Sequence, residues 1–293
     1  MNILKSHAAV IMLSFAAVII SALSVYGKDE VDPSAVIEKM NKAYSELTAY
    51  QDTGVVEDVI IKGSQTTTLK KEFAIWFKKP SSLRVDWISD MPFGKKKAVL
   101  WSNGKDTYTF WELKNQYRKE KSLRRGIAAE TGVSGGATNT VPTRLLGEHR
   151  DSEFSGCALL KEEDFEGTPC YVISAKHPAK LDCTLWIGKN DYLIRKYEYK
   201  IRSSKQLMKD VKEKMEQSKK TMSQAQKKET KEKMERSLAP FNEMDDFSTV
   251  NTQIHRTIKI NGEITDSVFN FTPPEGSTLV ESFRKESKSR TDQ

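Results

Sequence analysis

Cysteine and histidine are scarce in this chain: three and four residues among 293. Three cysteines are too few for a disulfide-built scaffold or a four-cysteine zinc site. Beyond the N-terminal segment the histidines are His149, His177 and His255, and none stands at helical or hairpin spacing from another metal-ligating side chain. No phosphate-cradling glycine loop and no dinucleotide fingerprint occurs, so no cofactor is expected. After Tyr26 no apolar run is long enough to cross a bilayer as a helix, which excludes a polytopic membrane protein. Apolar residues are not lacking. At 38% apolar and 9% aromatic the chain is no disordered polymer, and its length suits one large domain or two ordinary ones.

The first 27 residues read as an address. Lys5 precedes nineteen uncharged residues, Ala8 to Tyr26, and small residues at Ala22/Ser24 and Val25/Gly27 offer two imperfect signal-peptidase sites. The same run would also serve as a retained N-terminal anchor. Both readings carry the remainder of the chain across a membrane and predict an exported, periplasmic protein.

The exported part opens with a helix over 33–48, with Val36, Met40, Ala43, Tyr44 and Leu47 at helical spacing and Asp32 and Pro33 at its start. Strand-like runs follow at 53–61, 69–77, 83–88, 98–102, 107–113, 157–165, 170–176, 181–187, 192–202, 249–260 and 267–271, bounded by Gly, Asn, Pro and Asp. Leu83, Val85 and Trp87 alternate with Arg84 and Asp86, so one face of the sheet is dry and the other wet, as in antiparallel sheets. Short helices are expected at 123–130 and 142–146, around a flexible Gly132–Gly136. About eleven strands with few helices define an α+β, mainly β fold: a large antiparallel sheet that curls into an unclosed barrel and is covered by helices. The domain is expected over 31–283, with a disordered tail at 284–293.

Residues 204–238 form an insertion of different composition. Over 204–236 there is no glycine, proline or aromatic residue, and Met208, Val211, Met215, Ser218, Met222 and Ala225 recur at three- and four-residue steps, which predicts a charged helix or helical hairpin. This stretch carries +5 of the chain's +7, so the exported protein is otherwise close to neutral. The Met-rich basic helix suits a solvated arm, a docking surface for a partner protein, or an anionic membrane surface. Nucleic acid is not expected, because no aromatic residues interleave with the basic ones.

Two further motifs bear on chemistry. Gly132-Val133-Ser134-Gly135-Gly136 matches the hydrolase nucleophile elbow, but it lacks the apolar strand before and the helix after that the strained turn requires; no enzyme is expected. Cys170 and Cys183 flank a predicted hairpin around His177-Pro178-Ala179 and could form a disulfide across it, leaving Cys157 over; three buried thiols are the alternative. The aromatic and aliphatic residues of the central strands make an ordinary core, or line a cavity where the helices fail to fill the curled sheet. Cavities of that kind take lipids or other apolar ligands. The candidates are Trp76, Phe77, Leu83, Val85, Trp87, Trp101 and Phe110.

Three segments, in order, carry a resemblance. Ile75-Trp76-Phe77-Lys78-Lys79-Pro80 with Trp87, then Val99-Leu100-Trp101-Ser102-Asn103-Gly104-Lys105 with Tyr108, then Phe269-Asn270-Phe271-Thr272-Pro273-Pro274-Glu275-Gly276 resemble the periplasmic lipoprotein carriers of the LolA/LolB-like, outer-membrane lipoprotein-sorting family. The resemblance implies an unclosed antiparallel barrel over helices, with an apolar cavity for acyl chains of lipoproteins or lipids and no covalent chemistry. It places Lys79 where the carriers have a functional arginine, a change that keeps the charge but loses the planar fork. The insertion at 204–238 is a departure from the family. The function expected is periplasmic binding or transfer of lipoproteins or lipids, with transient membrane association. The alternative is an envelope regulatory or structural protein that binds a partner through the basic helix.

Overall fold

The computed structural model describes residues 31–91, 93–147, 154–177, 181–201, 209, 213 and 247–283. Residues 1–32 and 33–293 form separate compact units, and every element named below belongs to the second. The N-terminal segment, the tail at 284–293, and Met208, Val211, Met215 and Met222 lie outside the described residues; within the insertion Lys209 and Glu213 are helical.

Among the described residues thirteen strands form one open sheet: β1 (Ala49–Lys62), β2 (Gln65–Lys78), β3 (Ser82–Met91), β4 (Gly94–Asn103), β5 (Thr107–Trp111), β6 (Gln116–Glu120), β7 (Ser155–Phe165), β8 (Thr168–Lys176), β9 (Asp182–Gly188), β10 (Ile194–Ile201), β11 (Ser248–His255), β12 (Lys259–Ile260) and β13 (Thr278–Leu279). The order is β13-β6-β5-β4-β3-β2-β1-β11-β10-β9-β8-β7, with β12 beside β1. Every pairing is antiparallel except the short β13–β6 contact, and the end strands β13 and β7 do not meet. The barrel is therefore unclosed, as the strand count and alternation imply. Two expected strands differ. The 267–271 run is a 3₁₀ turn (Asp266–Phe269) rather than a strand, and the 249–260 run is broken at 256–258 into β11 and β12; β6 and β13 are additional to the expected set.

The inner face is covered by α1 (Pro33–Glu46), α2 (Leu123–Glu130), α3 (Pro142–Leu145) and the segment joining α2 to α3. Helix α1 buries Val36, Ile37, Met40, Asn41 and Tyr44, and the Tyr44 hydroxyl accepts the Ile194 N–H at 3.1 Å. Helix α2, capped by the Ser122 side chain, lies so close to the sheet that a Cβ on Gly126 would sit 2.7 Å from Leu100. Phe73, Ile75, Phe77, Leu83, Val85, Trp87 and Leu100 point inward and are buried.

The outer face is not uniformly wet. After β12 the chain crosses the outside of β2–β5, so that Ile264 and Phe269 pack with Ala49 and Trp76, and Phe271 packs against Val99, Trp101 and Phe110. Arg84, paired with Asp86 at 2.7 Å, lies 5.4 Å from the Trp76 ring and 5.0 Å from that of Phe271. The polar half of β3 is thus roofed by the C-terminal segment, which is why Asp86 is buried although it alternates with the dry residues.

Of the two alternatives for Cys170 and Cys183, disulfide or free thiols, the structure has free, buried thiols. Cys170 stands opposite Gly188 and Cys183 opposite Ala175. The two are five rungs out of register and of opposite parity on the hairpin: Cys170 joins Val172 and Trp186 in an outer cluster, while Cys183 shares the inner face with Ile173 and Leu185. Side chains on opposite faces of a sheet cannot meet the geometry of a disulfide. Burial pushes both thiols up to about 11.

Candidate functional site

The inner face divides into a polar floor and an apolar groove. The floor forms where the α2–α3 segment dips into the barrel. The Gly135 carbonyl accepts from Asn251 Nδ2 at 3.1 Å and from Gln253 Nε2 at 3.0 Å. Asn251 also donates to Asp58 at 2.7 Å, and the other oxygen of Asp58 takes the Lys71 ammonium at 2.7 Å. Deeper still, Asp52 is bonded to both His255 and the Tyr50 hydroxyl, and all three are at most 2% exposed. Burial beside Asp52 raises the Tyr50 pKa well above that of an ordinary phenol. Gly135 (φ +64°) comes so near β1 that a Cβ would lie 2.7 Å from Val56 Cγ1. The Gly132–Gly136 region, expected as a flexible loop, is therefore a plug: Ser134, Gly135 and Gly136 are buried. The Ser134 hydroxyl is consumed by the Thr131 carbonyl at 3.2 Å and Thr138 Oγ1 at 3.1 Å, with none of the exposure a nucleophile needs.

Beyond the plug, toward the β1–β2, β3–β4 and β5–β6 turns, the helices no longer cover the sheet. A groove of about 350 Å³ opens there, lined by Leu69, Trp87, Met91, Ala98, Trp111 and Leu113 from the sheet and by Val133 from the plug. Pairing explains the convergence, since Trp87 and Trp111 both stand opposite Ala98, whose small side chain leaves the space between them. Trp111 is held from behind: its indole N–H donates to Glu130 at 2.9 Å and its ring stacks on Phe283, centroids 4.5 Å apart. Desolvation lifts the Glu130 carboxyl to about 7. Leu69, Met91, Leu113 and Val133 remain 42%, 38%, 48% and 42% exposed, an apolar concentration that scattered surface residues do not produce. Lys70, Lys71, Lys96 and Lys97 stand along its rim, with Asp90 as the acidic residue of the lining.

Of the seven cavity candidates read from the sequence, Trp87 lines this groove. Phe77, Leu83 and Val85 are fully buried inner-face core farther along the barrel. Trp76, Trp101 and Phe110 are on the outer face under the C-terminal segment. Lys79 lies at the opposite end of β2, roughly 30 Å from Leu69 along the strand, and donates to the Ser45 carbonyl at 2.6 Å, steadying the C-terminal turn of α1. Leu69, Met91, Ala98, Trp111, Leu113, Val133 and the lysines were missed as site residues. The β3–β4 turn at Gly94 is the signal that would have found several of them, because it fixes Met91, Ser89 and Trp87 opposite Gly94, Lys96 and Ala98. Among the described residues no group of three or more His, Cys, Asp and Glu could hold a metal ion, and no helix is long and apolar enough to cross a membrane.

Fold and groove together describe an unclosed antiparallel half-barrel with an open apolar groove at one end. The chain belongs to the family described as Predicted periplasmic protein (DUF2092), which matches residues 34–230, and its location is the periplasm. No curated protein matches it in sequence. Similar solved structures include an uncharacterized conserved protein from Thermus thermophilus (10% identity, TM-score 0.41, covering 84% of this chain and 96% of that one). They also include a LolA superfamily protein from Nitrosomonas europaea (10%, 0.30, 82% and 98%) and the lipoprotein LppX of Mycobacterium tuberculosis (12%, 0.36, 80% and 99%).

Proposed function

We propose that this protein binds the acyl chains of lipids or lipid-modified proteins in the periplasm and does so without covalent chemistry. The observation that carries the reading is the groove itself: Leu69, Met91, Leu113 and Val133 stay open to water around a concave wall of two tryptophans. Each CH₂ removed from water there would contribute roughly 0.8 kcal/mol. An apolar chain is the occupant because the lining offers mainly hydrophobic surface.

The test is native mass spectrometry with lipid extraction on the full chain purified from its own envelope. Wild type should carry acyl-bearing lipid. Leu69→Asp with Leu113→Asp, both half-exposed and so tolerant of a charge, should melt like wild type and emerge empty. A wild-type protein that is empty, or a double variant that is equally loaded, would overturn the reading. A second function, partner binding through the basic Met-rich insertion, is favoured by the +5 charge of 204–236. Deletion of that segment should abolish capture of an envelope partner and leave lipid loading intact.

A further inference from the structure

We infer that the ligand of the groove is a single-chain amphiphile with an anionic headgroup, a carboxylate or a phosphate, seated on Lys96. This rests on the apolar-groove reading above and narrows it to a ligand class. Two observations carry it. The first is size: about 350 Å³ lies at the small end of ligand cavities, which run from roughly 300 to 1,000 Å³. It suits one chain better than the two or three of a phospholipid or a lipoprotein anchor.

The second is the state of the rim lysines. Lys71 is 2.7 Å from Asp58, Lys97 2.7 Å from Asp86 and Lys70 3.2 Å from Glu57. Each has a carboxylate within hydrogen-bond distance. Lys96 differs. Its ammonium is 3.8 Å from Glu112, too far for a hydrogen bond, because the other Glu112 oxygen is drawn 2.7 Å from the backbone N–H of Lys97. The pairing register puts Lys96 opposite Ser89 on the inner face, in line with Ala98 and Trp87, so its side chain belongs to the groove. Lys97 belongs to the outer face, where it meets Asp86 and the Phe271 ring. The Lys96 side chain is also only 32% exposed. A half-buried ammonium without a hydrogen-bonded counter-ion, at the mouth of an apolar slot, is where a headgroup anion gains most from a charge-assisted bond. Of the nearby carboxylates, Glu112 is drawn to the Lys97 N–H, and Asp90 lies 4.0 Å from Lys95; the four lysines outnumber Asp90 at the lining itself.

The test compares equilibrium binding of palmitate, palmitoyl lysophosphatidate, hexadecanol and dioleoyl phosphatidylglycerol vesicles to the full chain. Palmitate or the lysophosphatidate should bind roughly ten- to hundredfold more tightly than hexadecanol, the range a hydrogen bond to a charged group confers. Which of the two binds better identifies the headgroup as carboxylate or phosphate. Lys96→Gln should bring the affinity for the anions down to that for hexadecanol, and Lys96→Arg should restore the preference. Equal binding of hexadecanol and both anions, a Lys96→Gln loss shared by hexadecanol, or two-chain lipid taken up as well as single-chain lipid would overturn this inference and leave the groove reading intact. No binding of any probe, with Leu69→Asp and Leu113→Asp without effect, would overturn the groove reading itself.

Discussion

Replacing Gly135 by alanine tests whether the segment between α2 and α3 is a fixed plug or a mobile flap. Two costs add at this position. The backbone has φ +64°, where an L-residue with a Cβ loses roughly 1–2 kcal/mol. The new methyl would also lie 2.7 Å from Val56 Cγ1, a side chain with no exposure, and forcing a methyl into a filled core costs typically 1–3 kcal/mol. Gly63, in the β1–β2 turn, is the control: its φ is +59°, and nothing lies within 4 Å of its would-be Cβ. Gly63→Ala therefore pays the backbone cost alone. Gly135→Ala should be the less stable of the two by about 1–3 kcal/mol, a difference of roughly 0.3–1 M in urea midpoint for an m-value near 3 kcal/mol/M. The assay is urea unfolding followed by tryptophan fluorescence and circular dichroism on the same samples. Coincident midpoints for the two variants would refute the plug, because a segment free to move away from Val56 would pay nothing extra.

Glu130 should give the protein a pH-dependent stability. Its carboxyl stands at about 7 in the fold against 4.5 for an unperturbed glutamate, so the folded state keeps a proton that the unfolded chain releases. The contribution is complete below pH 4.5 and is lost as pH rises to 7, by about 3 kcal/mol at most. Glu130→Gln should flatten that slope in melts taken from pH 4 to 8; an unchanged slope would assign it to other groups. The cysteines should resist a thiol reagent at pH 8 in the native protein at Cys170 and Cys183, and all three should react once denaturant is added. A mass change on reduction of the unmodified protein would instead reveal a disulfide that the β8–β9 register forbids.

Legibility from sequence followed the strength of local pattern. The stripe Val36, Met40, Tyr44 and the alternation of Leu83, Val85, Trp87 with Arg84 and Asp86 place α1 and β3 correctly, because one face of each is apolar and buried. Strand β11 inverts the rule. Thr249, Asn251, Gln253 and His255 are buried, whereas Val250 and Ile254 on the alternate face are partly exposed. The polar set faces inward because the Gly135 carbonyl, Asp58 and Asp52 supply its partners, and those partners come from distant parts of the chain that no local pattern can reveal. The same limit explains the cysteines. Hairpin spacing around His177 suggests two cysteines near one another, but only the register, Cys170 opposite Gly188, shows that they lie on opposite faces. Trp76, Trp101 and Phe110 look like cavity residues until the C-terminal segment is seen to cross outside them.

The polar floor explains why the groove sits at one end of the barrel. A buried polar group needs a partner, and a set that includes Asp52, Asp58, Lys71, Asn251 and His255 could not be left facing an acyl chain without several unmet hydrogen bonds. The α2–α3 plug offers the Gly135 carbonyl to Asn251 and Gln253, and in doing so fills the middle of the barrel. The apolar groove lies beyond Val133, where β2, β3 and β4 run on past the plug and Trp111 closes the far side. Trp111 has no freedom to retreat, since Glu130 holds its N–H and Phe283, carried round the sheet edge by the β13–β6 contact, stacks on its ring. A chain bound as proposed would be confined between two walls, the plug and Trp111. The length of chain that binds should thus be set by the sheet overhang from Trp87 to Met91, about four residues or roughly 13 Å of strand. Longer chains would leave their ends in water and gain no further affinity.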